Sequence, residues 1–205
     1  MIDIDLFTVI SAFISIFFGS LIKGAIGFGL PVIVTPIMIF FLPLTDVIAL
    51  QIMPICISNI QQCWATRSRM YILNQFYPMI VANIVILLLG SFILVRLNPA
   101  LLMPIIGILI ILQAVFSRLP FFNINNSSKI SPAIIISGIF SGILGSISSF
   151  YAFPSVQVLV ATRLKRDEFI FIVGFFLSTG FIALWIGILV NGFPVIKMLP
   201  LSLIL

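Results

Sequence analysis

The stretch GSLIKGAIGFGLPVIVTPIM, residues 19–38, sets one lysine, four glycines and two prolines inside a run that is otherwise apolar. Its surroundings offer little polarity. Of 205 residues, 62% are hydrophobic and 7% are charged, whereas a soluble domain carries roughly 25% charged residues. So few polar side chains cannot cover a water-soluble globule, and the chain reads as an all-α, polytopic membrane protein. Crossing hydrocarbon of about 30 Å takes roughly 20 helical residues. The apolar runs here are of helical length and lack the alternation of barrel strands.

Working outward from the quoted stretch, the sequence predicts a helix over 6–22, a glycine-rich break at 24–30, a short helix over about 31–42 and a full helix over 47–65. The basic loop RSRMYILNQ follows, then helices over 76–96 and 100–116 joined at LNPA, and the polar loop 117–131. Beyond it come an apolar segment 132–144, a Gly/Ser break at 145–153, a short helix 154–162, the loop RLKRDE, a helix 168–190 and a last apolar run after NGFP. As units, 1–116 form a first repeat, 117–131 a cytoplasmic loop, and 132–205 a second repeat that is incomplete at its C-terminus. Twelve helical residues reach only about 18 Å. The two short helices are therefore re-entrant or cross with the help of extended backbone.

The N-terminal MIDIDLF has two aspartates and no basic n-region. No cleavable signal is read there, and the first apolar run is a permanent span. If 65–75 is cytoplasmic, the next crossings return 117–131 and 163–168 to the same side. Arg67, Arg69, Arg118, Lys129, Arg163, Lys165 and Arg166 then share the cytoplasm, seven of the ten basic residues, which is the positive-inside pattern. The N-terminus and Asp46 face outward. The net charge of +5 is thus a matter of orientation, and no nucleic-acid partner is implied.

The segments GAIGFGLPVIVTP, 24–36, and GILGSISSFYAFP, 142–154, align without a gap: Gly24 with Gly142, Gly27 with Gly145 and Pro36 with Pro154. By the topology above the two copies are inverted. Inverted repeats with broken helices are the mark of secondary transporters, whose site lies where the breaks meet. The competing explanation is chance, since Gly and Pro are common in membrane helices.

Irregular backbone at membrane depth is tolerated where it is buried in protein or lines a wet cavity. Each break precedes a short helix whose first N–H groups favour an anion, and glycine lets backbone approach a ligand. Lys23 stands just before the first break. It is either part of a site or a lysine snorkelling to a membrane face. Ser146, Ser148, Ser149 and Tyr151 offer hydroxyls at the second break, or small residues for tight helix packing. Gln51, Ser58, Asn59 and Gln62 share one helix face, lining a path or bonding a neighbour. Asp46, Asp167 and Glu168 read as loop or capping acids, with proton coupling the other option. Histidine is absent, and with it the commonest base and metal ligand. Cys56 and Cys63 lie two turns apart on one helix, about 10.5 Å, too far for a disulfide. No nucleotide, metalloprotease or nucleophile-elbow motif is present, so neither an enzyme nor a cofactor or metal is expected.

GSLIKGAIGFGLPVIVTPIMIFFLP followed by TDVIALQIMPICISNI resembles the opening of the sulfite exporter TauE/SafE family of membrane transporters, and GILGSISSFYAFPSVQVLVATRLKRDEF resembles its second copy. The resemblance implies transport of a small anion (sulfite, an organosulfonate or a related carboxylate) across the cytoplasmic membrane. It also implies about eight membrane segments. The chain stops inside the seventh and reads as C-terminally shortened, with a Gly-poor second break where hydroxyls replace amides.

The expected function is a secondary transporter or exporter working by alternating access. Lys23, Gly24, Gly27 and Gly29 would form one half of the substrate site, and Gly142, Gly145, Ser146, Ser148 and Ser149 the other. Gln51, Ser58 and Asn59 would line the path. The alternative is a non-transporting shortened subunit that pairs with another membrane protein. The partners are then the anion, the bilayer, and a homo-oligomer or partner subunit.

Overall fold

The computed structural model describes residues 5–96, 98–116, 132–193 and 195–204. Among them lie α1 (Leu6–Ile26), α2 (Leu30–Met38), α3 (Leu44–Ala65), a 3-10 turn (Arg67–Ile72) running into α4 (Leu73–Leu94), α5 (Pro99–Phe116), α6 (Pro132–Ser148), α7 (Ser155–Ala161), α8 (Arg166–Val190), a second 3-10 turn (Val195–Met198) and α9 (Leu199–Ile204). The expected loop 117–131 falls outside the described residues. Among the described residues, four stretches are long and apolar enough to cross a membrane: Leu6–Ile26, Leu44–Ala65, Arg67–Leu94 and Arg166–Val190.

α1 starts at Asp5, whose carboxylate accepts the Thr8 N–H at 3.1 Å and also the Thr8 hydroxyl. Those bonds hold the Asp5 carboxyl below its ordinary pKa. The helix does not stop at residue 22. It runs through Lys23 and Gly24, because neither residue forces the backbone out of helical geometry and unpaired amides are costly in lipid. It ends where Gly27 turns left-handed (φ 86°) and returns its N–H to the Lys23 carbonyl at 2.7 Å. The first break is therefore 27–29, with Gly29 also at positive φ. The second differs from expectation in the same direction. α6 continues through Gly145 and Ser146 to Ser148, and the break covers 149–154. The two broken helices end 122 residues apart, at Ile26 and Ser148, one helical turn beyond the spacing of the aligned motifs.

α4 lies at the centre, packed on α6 and α8, while α8 also packs on α3. Gly138, Gly142 and Gly145 face Met79, Asn83 with Ile86, and Leu87 in turn, so α4 and α6 run in the same direction. Gly180 and Gly187 face Asn83 and Ser91, so α8 runs with them. Without van der Waals contact at close range little holds helices together in lipid. A Cβ at Gly138 would strike the Met79 backbone, so only glycine permits this approach. α3 is antiparallel to α8: Gln62 donates to the Ile170 carbonyl at 2.7 Å, and Ile55 and Leu177, one earlier on α3 and the other later on α8, line the same pocket. α1 runs with α3, its start near the α2–α3 turn through Phe7 and Phe41 (ring centroids 5.7 Å) and its end beside Asn59 and Gln62. α1 pairs chiefly with α2 and turns Phe13, Phe17, Phe18 and Leu21 outward, the surface a lipid-facing helix presents.

Candidate functional site

The two breaks meet. Gly29 of the first, with Leu30, Pro31 and Val32 at the start of α2, and Ser149, Phe150, Tyr151 and Ala152 of the second line one inner pocket, closed by Lys23, Ile55, Asn59 and Leu177. Its free volume is about 20 Å³, room for one water. A second, larger cleft of about 560 Å³ lies against it, lined by α1 from Ser20 to Gly27, by Ser58, Gln61, Gln62 and Ala65 of α3, and by Arg166, Phe169 and Ile170 of α8. Lys23 lines both spaces.

Lys23 is 6% exposed, so most of its side chain is packed against protein. It donates to the Asn59 side-chain carbonyl. No carboxylate pairs with it among the described residues. Asn59 is fully buried, six residues or about 9 Å inside the α3 C-terminus. With its oxygen engaged by Lys23, its amide nitrogen has no partner. An ammonium without a carboxylate and an unpaired amide therefore lie together at the pocket where the backbone is broken.

The helix N-termini contribute less than expected. Pro31 removes a donor from the first turn of α2, and Val32 N–H is taken by the Gly29 carbonyl at 3.1 Å. At α7, Ser155 N–H is held by Ser141 Oγ at 3.0 Å, and Val156 and Val158 donate to Ala152 and Pro154. Buried amides in an apolar setting are costly unless paired, and the chain pairs them with itself.

The remaining candidates divide. Gly29 and Ser149 line the inner pocket, and Gly24, Gly27 and Ser58 line the cleft. Gln51 lies behind the pocket: it donates to Thr35 Oγ1 at 3.1 Å, and Thr35 meets Ser149 Oγ at 3.4 Å, joining α3, α2 and the second break. Ser58 returns its hydroxyl to the Pro54 carbonyl at 2.6 Å. Gly142, Gly145 and Ser146 are not at either space. The two glycines lie in packing contacts, Gly142 with Asn83 and Ile86 and Gly145 with Leu87 and Tyr151, and Ser146 lies against Gly90. Ser148 donates to the Leu144 carbonyl at 2.7 Å and accepts from Phe150 N–H. Tyr151 is buried and donates to the Leu177 carbonyl at 2.6 Å. Asp167 pairs with Arg69 at 3.5 Å, and Glu168 accepts from Tyr71 and from Lys165 N–H, as capping and loop acids do. Thr35, Gln61 and Arg166 are additions from the structure. Thr35 sits one residue before a proline in an apolar helix, a polar position that the sequence does show. No group of metal-ligating residues occurs among the described residues.

The family model described as sulfite exporter TauE/SafE matches residues 12–205. No curated protein and no solved structure matches the chain.

Proposed function

The chain belongs to the sulfite exporter TauE/SafE family, and from that premise we propose that it carries a small oxyanion, sulfite or a short sulfonate or carboxylate, across the cytoplasmic membrane by alternating access. It is a multi-pass membrane transporter. The observation that carries the finer reading is the Lys23–Asn59 pair: a buried ammonium without a carboxylate, beside an amide donor without a partner. A buried cation is costly when alone, and an anion seated against it relieves that cost. The unpaired Asn59 amide adds one directed hydrogen bond to an oxyanion.

Two further observations support alternating access. α6 runs opposite to α1, so the helix pairs α1–α2 and α6–α7 form two inverted units that touch at their breaks, and Ser149 links them through Thr35. The inner pocket has room for only one water, so an oxyanion occupies it after the breaks part. Orientation follows from charge. Arg67, Arg69, Arg163, Lys165 and Arg166 lie at the α3 C-terminal end; with that end cytoplasmic, α1 begins outside.

The test is thermal stabilisation of purified protein by sulfite, methanesulfonate and acetate, with Lys23→Ala alongside. A ligand at 100 times its Kd stabilises by about 2.7 kcal/mol. The wild type is expected to gain in Tm with at least one anion while Lys23→Ala, folded alike, gains nothing. An equal gain in both proteins would remove Lys23 from the site.

A further inference from the structure

The acids of the run Arg166-Asp167-Glu168 are both engaged away from the 560 Å³ cleft. Asp167 pairs with Arg69, and Glu168 accepts from Tyr71 and caps Lys165. Arg166 lines the cleft, and among the described residues it forms no ion pair and no side-chain hydrogen bond. Lys23 lies at the inner wall, and Ser20, Ser58, Gln61 and Gln62 complete the polar lining. Two cations thus face one open space with no carboxylate among its lining residues. Arg166 is also the first residue of α8, where the helix dipole adds positive potential. The volumes of the two spaces differ more than twentyfold. The cleft has room for an oxyanion with its hydration shell, whereas the inner pocket as it stands has room for one water.

We propose that this cleft is an outer site for hydrated oxyanions, distinct from the Lys23–Asn59 pocket, in which Arg166 is the principal cation and from which Lys23 passes the anion inward. The handover rests on the transport reading above; the outer site itself does not. Clefts lined by one sign of charge concentrate counter-ions by 10- to 1,000-fold. Lys23 borders both spaces, so an anion moving inward exchanges Arg166 and water for Lys23 and Asn59 without leaving positive potential.

The experiment measures the field in the cleft without measuring transport. A single cysteine is placed at Gly24, where an added Cβ meets nothing within 4 Å, in a background of Cys56→Ser and Cys63→Ser. Its labelling rates are compared for an anionic sulfonatoethyl and a cationic trimethylammonioethyl methanethiosulfonate, each relative to a free thiol. The anionic reagent is expected to be favoured by about tenfold. Arg166→Gln should bring the preference to within about twofold, and so should high salt, which shortens the screening length to about 3 Å at 1 M. A ratio at Gly24→Cys no higher than that of the free thiol, or one unmoved by Arg166→Gln in a folded protein, overturns the outer site. If Arg166→Gln does not fold, the salt dependence of the Gly24→Cys protein with Arg166 intact decides alone. A charge preference at Gly24→Cys together with anion binding that survives Lys23→Ala would keep the outer site and remove the inner one. The reverse pattern would do the opposite.

Discussion

The first break, 27–29, and the second, 149–154, interrupt the chain at the same point of two opposed helix pairs, yet they are finished differently. At the first, Gly24 faces open space and Gly27 and Gly29 supply the positive φ that turns the backbone. Lys23 and Asn59 leave donor capacity unused. At the second, Gly145 is pressed on Tyr151, Ser148 takes Phe150 N–H, Ser141 takes Ser155 N–H, and Tyr151 is anchored on the Leu177 carbonyl. One break keeps unpaired donors and opens on a cleft on one side; at the other the backbone amides named here are paired within the chain. Glycine and hydroxyl content alone does not make a ligand site. What distinguishes the first break is donors without acceptors.

The sharpest way to break this contrast is to exchange charge for bulk at each break. Lys23→Ala should weaken oxyanion affinity by about 30-fold or more, given roughly 2–5 kcal/mol for truncating a buried charged partner. Ser148→Ala, at the second break, should leave affinity within about twofold, since its hydroxyl serves only the local backbone. Titration of the two purified variants with the anion that stabilises wild type checks both. If Ser148→Ala costs as much as Lys23→Ala, the second break is a binding half after all.

The glycines give the next largest effect, and it falls on stability. Gly138→Ala and Gly145→Ala overpack contacts with the Met79 backbone and with Tyr151; overpacking costs about 1–3 kcal/mol. Gly24→Ala meets nothing and replaces a residue of poor helix propensity, a gain of about 0.8–1 kcal/mol in a water-exposed helix. Melting curves in one detergent should therefore move in opposite directions for Gly24→Ala and Gly145→Ala. A matching loss for both would mean that the first break is packed as tightly as the second.

Much of this contrast is legible in the residues, and the part that is not has a definite cause. The scarcity of charge identifies the membrane class, and Lys23 and Asn59 stand out because a polar side chain at depth needs a reason. The register of the breaks is not legible from glycine alone. Gly24, Gly142 and Gly145 are as compatible with a membrane helix as with its end, and only φ separates Gly27 from them. Nor does sequence reveal which amides remain unpaired. Ser141 sits fourteen residues before Ser155, and its hydroxyl closes the α7 N-terminus only because α6 and α7 fold back on each other. Arg166 is hidden for a similar reason: next to two acids it looks neutralised, until the folded chain turns both acids toward Arg69, Tyr71 and the Lys165 amide.

The smallest predicted effect tests whether the second break is held by those internal bonds or merely by packing. Ser141 Oγ meets Ser155 Oγ at 2.8 Å and accepts Ser155 N–H at 3.0 Å, and both serines are buried. Ser141→Ala leaves that N–H without a partner, at a cost of about 1–3 kcal/mol. Ser141→Cys keeps the size and a weak acceptor and should recover part of the loss. Ser155→Ala removes a hydroxyl but no backbone partner, so it should cost less than Ser141→Ala. That order, Ser141→Ala worst and Ser155→Ala mildest, follows only if the amide at the start of α7 is the group being satisfied. Equal losses in the two alanine variants would show that the hydroxyl pair, not the helix N-terminus, holds the second break closed, and the contrast with the first break would then rest on the glycines alone.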